Sequence, residues 1–246
     1  MKFTIHGIRG STPNPSGSVL KYGGNTSCYE ISTNKHQLFF DTGTGFIKAK
    51  IHSDEKDVYV LYSHFHHDHI QGLAFNPSIF ATNKKLTLTS GLTNTKNIQK
   101  SLQKYFSGSY FPVDIFKISK NLKVVDIEEV IKKIGSSICI KYMNLNHPGG
   151  AVGYSVTSKT KKIVILLDNE FTDIQKNKLV KFCKNADLII WDGMFTDSEL
   201  TTKQGWGHSS IEEAIRFTEL SKVKRTLICH HAPDRTDEKI DAIKRT

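Results

Sequence analysis

The chain lacks a C-x-x-C pair: its four cysteines, Cys28, Cys139, Cys183 and Cys229, lie far apart. That spacing argues against a zinc finger, a redox dithiol or a disulfide framework, and reads as four reduced thiols in or near the core. No stretch approaches the roughly 20 apolar residues of a membrane span. The opening Met-Lys-Phe-Thr-Ile-His-Gly-Ile-Arg-Gly has no apolar signal-peptide region. The expected location is therefore the cytoplasm, with no membrane partner. Arginine is also scarce, with five against 29 lysines. Arginine is the better bidentate reader of phosphate, and the lysines never run more than two together, so nucleic-acid binding is disfavoured. The formal charge of +10 still suits a small anionic phosphodiester substrate. No repeat, low-complexity tract or linker divides the sequence. One domain over 1–246 is expected, long enough to bury a core without disulfide staples.

Short runs rich in Ile, Val, Leu, Tyr and Phe are present throughout. They predict strands at Lys2–His6, Cys28–Thr33, Gln37–Asp41, Val58–Tyr62, Lys85–Thr89, Ile138–Leu145, Val152–Val156, Lys162–Leu167, Asp187–Trp191 and Thr226–Cys229. Helical periodicity marks Thr95–Phe106, Asp173–Lys184 and Ser209–Leu220. The last opens on a capping box, Ser210-Ile-Glu-Glu213. A final helix is expected near Asp234. Two mixed sheets packed together with helices outside satisfy this order. Periodicity alone does not choose that over a three-layer α/β sheet.

The densest chemistry lies in His64-Phe-His-His-Asp-His69. Histidine makes up 11 of the 246 residues, yet four fall in these six positions. The apolar run Val58-Tyr-Val-Leu-Tyr62 delivers Ser63-His64 to a strand end. In extended chain, residues two apart share a face. His64 and His66 can therefore reach one ion, and His67 points elsewhere. Asp68 and His69 follow in a turn, with a short helix expected from Ile70. Two adjacent turn residues can aim at a second ion nearby. The spacing H-x-H-x-D-H suits two metals, and a solvated histidine-rich loop is the weaker reading because the run directly follows an apolar strand. His147, Asp168 and His230 are further ligand types at the ends of apolar runs. Each alone could be an ordinary turn residue; together they point to a metal site.

The order H-x-H-x-D-H, then His, then Asp, then His resembles the metallo-β-lactamase superfamily over nearly the whole chain. The resemblance implies an α/β fold, a four-layer αβ/βα sandwich of mixed sheets. It implies a dinuclear site, usually two Zn2+, with Mn2+ the other candidate. By motif match His64, His66 and His147 hold one metal. Asp68, His69 and His230 hold the other, and Asp168 bridges them. His231 is the alternative to His230. Asp41, ending Leu38-Phe-Phe-Asp, matches the first motif and is expected to orient a histidine ligand.

The stretch Gly205-Trp-Gly-His-Ser-Ser-Ile-Glu-Glu-Ala resembles the catalytic segment of the RNase Z-like phosphodiesterase branch. There His208 would protonate a leaving oxygen or stabilise phosphoryl charge. Its plain alternative is a histidine preceding a helix with no duty. The loops Gly7-Ile-Arg-Gly-Ser-Thr-Pro and Tyr22-Gly-Gly-Asn-Thr-Ser-Cys resemble small bacterial and phage phosphodiesterases, including the anti-Pycsar enzymes that hydrolyse 3′,5′-cyclic nucleotides. Arg9 and Ser11 become candidate substrate contacts. Tyr110 or Phe111, in Ser107-Gly-Ser-Tyr-Phe-Pro-Val113, could stack on a base or form a hydrophobic or dimer contact. The resemblance implies a homodimer. The expected activity is cyclic-nucleotide hydrolysis, with Asp68 and His208 as catalytic groups. RNA 3′ processing is the alternative, placed second because no extended Gly/Pro-rich arm is found. Hydrolysis of carbon esters or thioesters and a non-catalytic metal module rank lower.

Overall fold

A computed structural model describes residues 1–52, 55–81 and 85–243. The chain forms two compact units, Met1–Gly7 with Asn25–Ile134 and Ile8–Gly24 with Gly135–Thr246.

The first unit holds a sheet in the order β1 (Lys2–Gly7), β2 (Cys28–Ser32), β3 (His36–Phe40), β4 (Asp57–Leu61), β5 (Leu86–Thr89) and β6 (Leu122–Val124). β1, β2 and β3 pair antiparallel, whereas β3 to β6 run parallel. Val58 to Leu61 are all buried, the continuous apolar run of a strand covered on both faces. In parallel register Phe40 lies beside Leu61, so both chains leave the sheet at the same edge. The helices are α1 (His67–Ile70), α2 (Ser78–Ala81), α3 (Thr95–Tyr105), α4 (Ile115–Ile118) and α5 (Ile127–Ile134). Asn94 caps α3 by accepting from the Asn97 amide. Ile98 and Leu102, four apart on one face, pack with Phe106 against Phe39, Val60 and Leu88.

The second unit holds β7 (Cys139–Leu145), β8 (Ala151–Thr157), β9 (Lys162–Leu166), β10 (Leu188–Asp192) and β11 (Thr226–Cys229), in the order β11-β10-β9-β8-β7. β7, β8 and β9 pair antiparallel; β9, β10 and β11 run parallel. Its helices are α6 (Asp173–Cys183), α7 (Asp197–Leu200), α8 (Ile211–Ser221) and α9 (Asp237–Ile243). The expected capping box is present: Ser210 Oγ accepts from the Glu213 amide, and Glu213 Oε2 accepts from the Ser210 amide. Phe217 of α8 packs on Trp191 with ring centroids 4.9 Å apart, and Phe171 closes on Trp191 at 5.7 Å.

Both sheets are mixed and carry helices, the α/β class expected. Three points differ from or add to the sequence reading. The short helix at the histidine run begins at His67 and ends at Ile70, so Asp68 and His69 lie in its first turn. β6 and α5 carry no mark in the sequence reading: β6 has three residues, and α5, although its apolar residues at 127, 130, 131 and 134 follow helical spacing, is only eight residues long. In α6 only Leu179 and Cys183 are buried, and Ile174 is 94% exposed. No helix among the described residues is long and apolar enough to cross a membrane.

Candidate metal centre

Asp41 after β3, Asp168 after β9 and His230 after β11 all adopt left-handed backbone, with φ of 61°, 45° and 56°. Non-glycine residues hold such conformations at a cost of about 1–3 kcal/mol each, and they concentrate at functional sites. Asp and His tolerate them better than most residues.

In the first unit Asp41 is wholly buried and organises the histidine run. Its Oδ1 accepts from the Ser63 amide at 2.7 Å. Its Oδ2 accepts from Ser63 Oγ at 2.7 Å and faces His69 Nδ1 at 2.8 Å. The proton of Ser63 Oγ is thus spent on Asp41, so this hydroxyl accepts from His64 Nδ1 at 3.0 Å. This network assigns the Nδ1–H tautomer to His64 and His69 and leaves Nε2 of each ring unprotonated, able to serve as a metal donor. The His64 ring lies 4.4 Å from that of His66 and 4.2 Å from that of His69. Asp68 Oδ2 is 3.2 Å from His69 Nε2. His67 is exposed and turns away, its Nδ1 2.6 Å from the Tyr105 hydroxyl. Gly43 lets the preceding loop close on this turn, because a Cβ there would lie 2.3 Å from the Asp68 carbonyl.

In the second unit Asp168 stands between two imidazoles. Its Oδ1 is 3.1 Å from His230 Nε2 and its Oδ2 is 3.6 Å from His147 Nε2. His147 Nδ1 donates to the Gly207 carbonyl at 2.8 Å. Burial lowers the pKa of His147, favouring the neutral ring. Gly207 has φ of 83°, and a Cβ there would lie 2.2 Å from Pro148 Cδ, so only glycine serves. His208 follows it and stacks on His230 with centroids 5.1 Å apart. Donor atoms of Asp168, His208 and His230 lie within 4.8 Å of one another.

Asp192 ties this cluster together. Its Oδ2 is 2.8 Å from His208 Nδ1, and its Oδ1 is 3.6 Å from His230 Nδ1. Burial opposes protonation of His208, but the Asp192 charge and hydrogen bond outweigh it and raise the pKa. Burial likewise works against ionised Asp192, and the two histidines bring its pKa down. Sequence reasoning missed Asp192. The available signal was an acid closing the apolar strand Leu188-Ile-Ile-Trp191, the same signal that marked Asp41 and Asp168.

Between the adjacent histidines at the end of β11, the structure sets His230 among the donors. His231 instead joins backbone with the first loop: its amide donates to the Ile8 carbonyl and its carbonyl accepts from the Gly10 amide. Burial, then Arg9 and Arg235, lower the His231 pKa to about 4. Arg9 is fully buried, donating from Nε to the Gly23 carbonyl at 2.8 Å and from a terminal nitrogen to the Arg235 carbonyl. Ser11 is exposed, with φ of 62°. Tyr110 is exposed and lines a cavity of 460 Å³ with Phe65, His67, Lys104 and Tyr105. Phe111 packs edge-on against Phe106 at 5.4 Å.

The donor chemistry fits divalent transition metals. Imidazole Nε2 atoms and carboxylate oxygens converge within each unit, and the other ring nitrogen of His64, His69 and His147 is already held by an oxygen. Residues 36–231 match the Beta-lactamase superfamily domain. A ribonuclease Z of Picrophilus torridus is 22% identical over 281 aligned positions, covering 94% of this chain and 85% of the relative. The short form of human tRNase Z shares the fold with a TM-score of 0.69 at 20% identity, covering 94% of this chain and 93% of that one. The metallo-β-lactamase fold protein YhfI of Bacillus subtilis superposes with a TM-score of 0.70 at 18% identity, covering 99% of this chain and 91% of that one. With most of its length matched by the family and its fold shared with these proteins, the chain belongs to the beta-lactamase superfamily.

Proposed function

We propose that this protein is a metal-dependent phosphodiester hydrolase acting on nucleotides, with 3′,5′-cyclic nucleotides as substrates. The metal ligands in this proposal are His64, His66, Asp68, His69, His147, Asp168 and His230, with zinc the favoured metal and manganese the other. When bound, such metals polarise a phosphoryl oxygen and acidify water. Asp68 accepts the proton of the attacking water. As the new P–O bond forms, the bond to the 3′ oxygen breaks, and His208 delivers a proton from Nε2 to that oxygen. Asp41 and Asp192 hold the histidines in the orientation this requires.

The single observation that carries the reading is the buried Asp192–His208 pair at 2.8 Å, stacked beside His230. An imidazole fixed through Nδ1 presents Nε2 as a general acid. A second reading, RNA 3′ processing, is favoured by the similarity to ribonuclease Z across 94% of the chain. A homodimer belongs to the same proposal and is checked by light scattering.

Purified protein loaded with zinc or manganese is offered bis-p-nitrophenyl phosphate, a panel of 3′,5′-cyclic nucleotides and a tRNA precursor. Metal-dependent ring opening at rates above those for the precursor supports the first substrate reading; the reverse order supports RNA. Turnover of neither diester class, with activity on a lactone or thioester instead, overturns phosphodiester hydrolysis.

A further inference from the structure

The second unit has a groove at the strand edge remote from Asp168. From Lys162, where β9 begins, to Asp168 is about 20 Å of extended chain. The groove has a volume of 540 Å³, in the range of small-molecule sites. Its floor is built from paired strands: Cys139 of β7 lies opposite Thr157 of β8, and Lys141 opposite Ser155. Met143 continues the same face two residues on. Helix α6 adds Lys178, Lys181 and Phe182 as a wall.

The charge around this groove is of one sign. Four lysines line it and no carboxylate does. Lys162 is already committed, donating to the Phe182 and Lys184 carbonyls at 2.7 and 2.8 Å, where it caps the end of α6. Burial lowers its pKa, and Lys141 adds to the effect. Lys141, Lys178 and Lys181 form no ion pair with any described residue. Met143 and Phe182 beside three uncompensated cations suit an amphipathic anion with a flat ring and a phosphate.

We propose that this groove binds a nucleoside monophosphate, with the base against Met143 and Phe182 and the phosphate among Lys141, Lys178 and Lys181. The choice of a nucleotide rests on the hydrolase reading, because ring opening of a cyclic nucleotide yields a nucleoside monophosphate. The occupant is then the product of the reaction, held at a second place on the same unit.

Cys139 offers a local probe, because it is exposed while Cys28, Cys183 and Cys229 are buried. A trifluoromethyl tag on Cys139 is followed by fluorine NMR during titration with AMP and CMP, and untagged protein is measured by calorimetry. The expected result is a saturable shift of the tag resonance. Binding weakens about tenfold in the triple variant K141Q/K178Q/K181Q, as loss of three exposed charge contacts implies. Hydrolysis of bis-p-nitrophenyl phosphate by that variant stays at the parent rate. The proposal is overturned by no saturable shift, by equal affinity in the triple variant, by inorganic phosphate or adenosine binding as tightly as AMP, or by an oligoribonucleotide binding more than tenfold tighter than AMP. Hydrolysis without AMP binding sinks the groove alone; AMP binding without hydrolysis of any diester sinks the hydrolase reading alone.

Discussion

The Asp192 carboxylate lies 2.8 Å from His208 Nδ1, with both groups buried in the second unit. Its other oxygen faces His230 Nδ1 at 3.6 Å. One side chain thereby holds the His208 imidazole by a hydrogen bond and sets its charge beside the His230 ring. Replacing Asp192 by Asn keeps the shape but removes the charge. Turnover of bis-p-nitrophenyl phosphate is expected to fall about 10- to 100-fold, the usual cost of losing a partner that orients a ligand. Circular dichroism should show the fold retained. A variant with parent-like turnover refutes the orienting role.

Asp41 does the corresponding work in the first unit, holding Ser63 and His69. Asp41→Asn is expected to weaken zinc or manganese affinity by about 10- to 100-fold. Metal titration followed by elemental analysis measures it. Unchanged affinity would show that His69 needs no partner.

Phe217 is 1% exposed and packs between Trp191, tilted at 4.9 Å, and Phe171, edge-on at 5.6 Å. Phe217→Ala removes a ring from a packed core, at a cost of about 3–5 kcal/mol. At roughly 2–4 °C per kcal/mol for a chain of this size, the melting temperature should drop by about 10 °C. A drop of under about 3 °C would mean the core relaxes to fill the space.

Asp187 contributes one part of the pH dependence. Its pKa falls to about 2, chiefly through its hydrogen bond from Lys224 and then through the Lys162 amide. A depressed carboxylate stabilises the fold fully above its unfolded value of 3.8 and loses that contribution as pH falls towards 2. Asp187→Asn should therefore be less stable than the parent in urea at pH 6, with the two converging between about pH 4 and 2. A constant difference across that window would assign the effect to something other than this charge.

Much of the candidate site is legible in the sequence because strands and ligands are local patterns. Val58 to Leu61 announce a buried strand by composition, and H-x-H-x-D-H announces metal chemistry by spacing. The capping box at Ser210 and Glu213 is equally local, since both hydrogen bonds span three residues. Strand ends are less legible. The run Gln37–Asp41 reads as one strand, but it stops at Phe40 because Asp41 turns left-handed to meet Ser63 and His69, over twenty residues away.

The residue types, their order and the H-x-H-x-D-H spacing are read from the sequence itself, since short-range periodicity and side-chain chemistry suffice for them. Tertiary structure decided which of two adjacent histidines faces Asp168. His230 takes φ of 56° and enters the donor cluster, while His231 forms an isolated bridge to the first loop, bonded to the Ile8 carbonyl and the Gly10 amide. It also decided the role of Asp192, whose partner His208 is 16 residues on. Periodicity carries no information about which strand ends meet. That is determined when parallel β9, β10 and β11 bring Asp168, Asp192 and His230 to one edge of a single sheet.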